Sequence, residues 1–256
     1  MKYENIVSGI FRKRPNRFIA YVVIDGREEI CHVKNTGRCR ELLVPGCTVY
    51  CAVSDNPQRK TKFDLIAVEK ETENSRLLIN MDSQAPNAAV KEWLASGQSP
   101  FGKPGLIKPE CKYGNSRFDF YLEINDLTNP VEGKPCSNVN RTVSSNPAIR
   151  KIFLEVKGVT LEENGIVLFP DAPTERGVKH VRELIECHKK GYETCILFVV
   201  QMSKASYFTP NRKTHPQFAD ILNEAQNSGV QLMAYTCCIS PDEITVNQPV
   251  DIRLKD

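Results

Sequence analysis

The chain changes texture near residue 80, and that change constrains its fold more than any other feature. Up to Asn80 it reads as short strands between turn signals, with no helical periodicity. Beyond Asn80 helical and strand patterns alternate, the mark of an α/β domain with a mixed sheet. We therefore expect an all-β domain over 1–80 and an α/β domain over 81–256, a comfortable division of 256 residues.

In the first part the strands are read at Phe18 to Ile24, Ile30 to Val33, Cys47 to Ser54, Phe63 to Lys70 and Leu77 to Asn80, with Asp25-Gly26 as a tight turn. Five short strands suggest a small barrel. An oligonucleotide-binding (OB) barrel fits that count, although strand count alone does not choose it over other small barrels. In the second part a helix is expected from Pro86 to Ala95, then a loop rich in Pro and Gly from Gly97 to Pro109. Strands follow at Ser116 to Ile124, Lys151 to Lys157 and Ile166 to Phe169. A helix from Pro173 to Lys190 stops at Gly191. Cys195 to Gln201 is a continuous apolar run, as in a strand buried on both faces. A last helix, Pro216 to Asn227, feeds a strand from Val230 to Tyr235. The polar stretch 125–150, with Pro130, Pro135 and Pro147, reads as a mobile surface insertion.

Charge divides along the same line. Residues 1–62 carry a balance of +6 and residues 63–256 a balance of −3, within an overall +3. A basic leading module suggests a surface that meets phosphates, although a solvated face explains the same charges. Its basic residues fall in three groups: Arg12, Lys13, Arg14 and Arg17; Lys34, Arg38 and Arg40; Arg59, Lys60 and Lys62. No apolar run approaches the roughly 20 residues of a membrane helix. Met1 to Ile10 lacks the apolar core of a signal peptide, so a cytoplasmic location without membrane attachment is expected. The ten cysteines show no zinc-ligand spacing and read as reduced, inert thiols.

Strand alternation assigns the chemistry-bearing residues to faces. In Lys151 to Lys157, Glu155 and Lys157 share a face with Phe153, roughly 7 Å apart along the strand. In the preceding strand Phe118, Phe120 and Leu122 are expected on one face, and Asp119 on the other. If the strands pair as a hairpin, Asp119 reaches the face of Glu155 and Lys157. Two carboxylates and a lysine so placed suit metal-assisted phosphodiester hydrolysis. Asp119 and Glu155 would hold Mg²⁺ or Mn²⁺, and Lys157 would stabilise the developing charge. Glu92 on the first helix could complete the site. An exposed ion pair would also explain Glu-x-Lys, and a solvated acid would explain Glu92. Arg176, Lys179 and His180, near the start of the long helix, could bind phosphate. No Gly-x-Ser-x-Gly elbow and no Gly-x-x-x-x-Gly-Lys loop is present.

Taken in order, Asn35-Thr-Gly-Arg-Cys39, Val44-Pro-Gly46, Ser54 to Lys60, Lys112 to Phe120, Glu155 to Thr160 and Phe169 to His180 resemble the sugar fermentation stimulation protein A (SfsA) family along nearly the whole chain. The resemblance implies an OB barrel followed by a PD-(D/E)xK nuclease-like domain, DNA binding and a role in regulating sugar utilisation, maltose in particular. Its nuclease signature falls on Asp119, Glu155 and Lys157, with Glu92 as the helix carboxylate and Phe118 where such folds often have proline. Lys112 and Arg117 lie within the matching motifs and join the nucleic-acid candidates. Two functions follow: an Mg²⁺-dependent nuclease acting on DNA, with RNA left open, or a DNA-binding regulator whose nuclease-like domain is idle. A homo-oligomer is left open.

Overall fold

The computed structural model describes residues 1–35, 37–72, 75–114, 116–126 and 148–254. Six strands build the amino-terminal part: β1 (Ile6–Lys13), β2 (Ile19–Ile24), β3 (Arg27–Val33), β4 (Thr48–Val53), β5 (Phe63–Glu71) and β6 (Arg76–Asn80). Their order is β3-β2-β1-β4-β5-β6, and a parallel β3–β5 pairing closes five of them into a barrel. The expected OB barrel is therefore present, with a different fifth member. β1 completes it, whereas Leu77 to Asn80, within β6, pairs outside the closure along the second half of β5. Gly9 in β1 lies so close to β2 that an added Cβ would sit 2.5 Å from Val22 Cγ1. Alternation fills the barrel: Ala20, Val22 and Ile24 of β2 are buried against Cys31, Val33, Val49 and Cys51. Asp25 and Gly26 both take positive φ, as the tight β2–β3 turn requires.

The second part contains α1 (Ala85–Ser96), β7 (Leu106–Tyr113), β8 (Ser116–Asp126), β9 (Ala148–Val159), β10 (Leu161–Glu163), β11 (Ile166–Phe169), α2 (Glu175–Lys189), β12 (Glu193–Val200), β13 (Tyr207–Pro210), α3 (Pro216–Asn227), β14 (Gln231–Ser240) and β15 (Glu243–Pro249). The main sheet runs β15-β14-β12-β9-β8-β7, parallel at β9–β12–β14 and antiparallel elsewhere. β12 lies inside it, which explains its apolar run. Ile166 to Phe169 leaves this sheet and pairs instead with β10 and β13 in a small three-stranded one. β7 occupies the end of the stretch expected to be a loop; it is an edge strand, the position in a sheet where a proline such as Pro109 is tolerated. Within the expected insertion, 125–126 and 148–150 are strand; the rest of that expectation lies outside the described residues.

α1 packs on one sheet face with Leu122, Leu154 and Leu197. α2 and α3 cover the other with Phe153, Ile196 and Phe198, in a cluster continuous with the barrel core. A buried polar knot joins the two parts. Gln201 Nε2 donates to Asn80 O at 3.1 Å, Asn80 Oδ1 at 3.0 Å and Asp82 O at 3.1 Å. Lys34 Nζ meets the fully buried Asp82 carboxylate at 2.6 Å. Among the described residues no helix is long and apolar enough to cross a membrane, and the described cysteines are free thiols.

Candidate functional site

The site forms where two neighbouring strands part. β8 and β9 pair from Asp126–Ala148 to Phe120–Leu154. Beyond that register the Asp119 side chain replaces the ladder: its Oδ2 accepts the Val156 N–H at 2.8 Å, and its Oδ1 accepts Asn87 Nδ2 from α1 at 2.8 Å. Strict alternation fails here. Phe118 joins the α2–α3 side with Phe153, while Phe120 and Leu122 lie on the α1 side. The expectation that all three share one face is thus corrected, because the strand rotates where the carboxylate takes over the backbone bond.

Glu155 is almost completely buried. Its Oε1 accepts Lys157 Nζ at 2.6 Å and faces His180 Nδ1 of α2 at 2.5 Å. Its Oε2 is buried and has no hydrogen-bond partner among the described residues. Arg176 Nε lies 3.4 Å from His180 Nε2. Since Arg can only donate, Nε2 is the accepting nitrogen and Nδ1 carries the proton given to Glu155. α2 is anchored for this purpose by Thr174, whose hydroxyl accepts the Gly177 N–H at 3.0 Å.

The two carboxyls are pushed in opposite directions. Burial, then the charge of Glu155, raises Asp119 above the ordinary carboxylate range, against the Val156 and Asn87 bonds. Burial also pushes Glu155 up, but the His180 bond and the Lys157 ammonium outweigh it and hold the carboxyl below its ordinary value. The buried Glu155 carboxylate, with its orphan oxygen, and the half-buried Asp119 carboxylate are hard oxygen donors of the kind a divalent cation takes. Among the described residues no group of three His, Cys, Asp or Glu side chains is gathered for a metal.

Several candidates lie elsewhere. Glu92 is exposed and bonds the Met1 amino group, so it does not complete the site. Asn87 is the α1 residue that does reach Asp119; Glu92 follows it by five positions, roughly 140° round the helix. The signal available in the sequence was a polar side chain in the first turn of that helix. Of the basic residues, Arg12, Lys13, Arg17, Arg38 and Arg40 line an open groove of about 760 Å³ at the barrel rim, with no acidic residue among its lining. Lys13 lies over the Tyr21 ring and Arg17 over Phe18. Arg14 touches the same groove but is committed to the fold: its guanidinium donates to the carbonyls of Arg17, Asn35 and Arg38, each at 2.7 Å. Lys34 is bound to Asp82 and Arg59 is paired bidentately with Asp64. Arg117 pairs with Glu110 and Lys179 with Glu183. Lys60 and Lys112 are exposed and lie outside both the groove and the carboxylate site.

Comparison with known proteins extends over the whole chain. Residues 13–79 match the family model described as the SfsA N-terminal OB domain, and residues 84–243 match the sugar fermentation stimulation protein RE domain. The sugar fermentation stimulation protein homolog of Clostridium beijerinckii is 52% identical over 254 residues, 99% of this chain and 100% of that one. The homolog of Ruminiclostridium cellulolyticum is 50% identical, with the same coverage. A solved structure, Pyrococcus furiosus SfsA in complex with Ca²⁺, superposes with a TM-score of 0.79 at 27% identity, covering 99% of this chain and 98% of that one. With the barrel, the mixed-sheet domain and both family models aligned along one chain, the protein belongs to the sugar fermentation stimulation protein family.

Proposed function

We propose that this protein is a cytoplasmic DNA-binding protein that hydrolyses phosphodiester bonds with the aid of Mg²⁺ or Mn²⁺ held by Asp119 and Glu155. The observation that carries the reading is Glu155: a buried carboxylate with two cationic or protonated neighbours on one oxygen and none on the other. A Pyrococcus furiosus relative is described in complex with Ca²⁺, which supports divalent-cation binding by this chain, and carboxylate oxygens are the donors such an ion takes. Such an ion, when bound, polarises the scissile phosphate and lowers the pKa of a bound water. The chain's own residues supply the rest. The Val156 N–H and Asn87 fix Asp119, His180 orients Glu155, and the Lys157 ammonium stabilises negative charge on the phosphoryl oxygens. Arg12, Lys13, Arg17, Arg38 and Arg40 bind backbone phosphates in their groove.

The test is purified protein with labelled single- and double-stranded DNA, in Mg²⁺ or Mn²⁺ against chelator. Cleavage that disappears in Asp119→Ala and Lys157→Ala is the expected result. Binding without cutting under every metal would remove the enzyme and leave the second reading, a DNA-binding regulator of sugar (maltose) metabolism with an idle nuclease-like domain. One observation favours that second reading: His180 and Lys157 already bond Glu155 Oε1, and the described residues include no group of three His, Cys, Asp or Glu side chains placed to hold a metal.

A further inference from the structure

A partly open cavity of about 160 Å³ lies between the barrel loop at Asn35 and Gly37 and the end of β9, immediately past Lys157. It adjoins the basic groove, since Gly37 lines both and Asp171 and Ala172 are neighbours lining one each. It is smaller than the roughly 300–1,000 Å³ of ordinary ligand pockets, which suits a single flat ring system. Two glycines keep it open. A Cβ on Gly37 would lie 2.5 Å from Asp171 Oδ2, and one on Gly158 would lie 2.5 Å from Gln201 Oε1.

Its polar lining is rich in acceptors. Gln201 is about 2% exposed and its amide nitrogen is spent on three acceptors, so its orientation is fixed. Its Oε1 takes no hydrogen bond among the described residues. The Asp171 carboxylate has no hydrogen-bond partner among them either. The Ser83 hydroxyl gives its proton to Lys34 O at 2.7 Å and keeps only lone pairs. Leu168 supplies an apolar wall.

We propose that this cavity seats one nucleobase of a bound strand, guanine by preference, with Asp171 and Gln201 reading its Watson–Crick edge. The inference rests on the DNA-binding reading and deepens it. Guanine is the base that presents adjacent ring N–H and amino donors on that edge, the complement of a carboxylate and a fixed amide oxygen that line one cavity. The other bases oppose an acceptor to one of these oxygens. The position also follows the strand's path: phosphates in the basic groove, the base past Gly37, the backbone then beside Glu155 and Lys157. Reading an unstacked base this way is a general device of enzymes that act on nucleic acids.

The experiment is fluorescence anisotropy with the full chain in chelator. The probes are labelled thymidine strands of about fifteen nucleotides carrying one central guanine, adenine, cytosine or abasic site. The guanine strand is expected to bind about tenfold more tightly than the abasic one, and Asp171→Asn should remove most of that difference. Asp171 is exposed, so the variant disturbs no packing, and the wild-type series needs no variant. Equal affinity for all strands, preference for another base, or a guanine preference that survives Asp171→Asn would each overturn the proposal while leaving DNA binding intact. Failure to bind any strand would instead overturn the DNA-binding reading, and this inference with it.

Discussion

Glu155 is where the chemistry of single residues is most legible. Its carboxyl is held below the ordinary value of 4.5 by His180 and Lys157, against the upward push of burial. A depressed carboxyl stabilises the fold fully above its unfolded pKa, and the contribution is lost as pH falls through the folded value. Asp119, raised by burial and by Glu155, works in the opposite direction and is relieved by acid. We therefore expect Glu155→Gln to flatten the acid limb of melting temperature against pH below about 4.5; an acid limb as steep as wild type would refute the assignment. The basic residues separate by partner. Arg14 binds three backbone carbonyls, so Arg14→Ala should lose about 2–3 kcal/mol of stability in urea denaturation. Arg12→Ala with Lys13→Ala should instead leave stability near wild type and flatten the salt dependence of DNA affinity, because each phosphate contact releases counterions. Composition could count these arginines; only their partners distinguish a structural clamp from a free cation.

At the scale of elements, alternation placed Glu155 beside Lys157 correctly, because β9 is regular there and pairs in register with β12. It failed at Phe118, because a side-chain carboxylate occupies a ladder position and no periodicity encodes that substitution. Five strands, β1, β7, β10, β13 and β15, were not read from the sequence, and for two of them the cause is plain. β7 is an exposed edge strand with polar residues and a proline, and β1 carries a glycine forced by its close approach to β2. The helices were legible from their stops: Gly97, Gly191 and Gly229 all take positive φ just past the helix ends. α2 brings His180 to Glu155, and its entry is set by Thr174. Thr174→Ala should cost about 1 kcal/mol in denaturant titration; no loss would mean that packing alone holds the first turn.

At the scale of the molecule, the barrel and the α/β part are fastened by buried polar groups as well as by apolar contact. Lys34 was a plausible phosphate ligand in the sequence, yet it neutralises an aspartate with no solvent exposure. Lys34→Met would strand that charge and should cost about 3 kcal/mol, read as a lower urea midpoint; a loss under about 1 kcal/mol would show that Asp82 is not dependent on its partner. The change of texture near residue 80, the helix and strand periods, the basic bias of the first residues and the placing of Glu155 beside Lys157 were determined by the sequence itself, because all of them are local in the chain. Closure of the barrel by β3 and β5, the approach of Asn87 and His180 to the carboxylates, the exclusion of Glu92 and the orphan oxygen of Glu155 were decided only by tertiary structure. Each depends on groups far apart in sequence meeting at hydrogen-bond distance, and neither period nor composition carries that information.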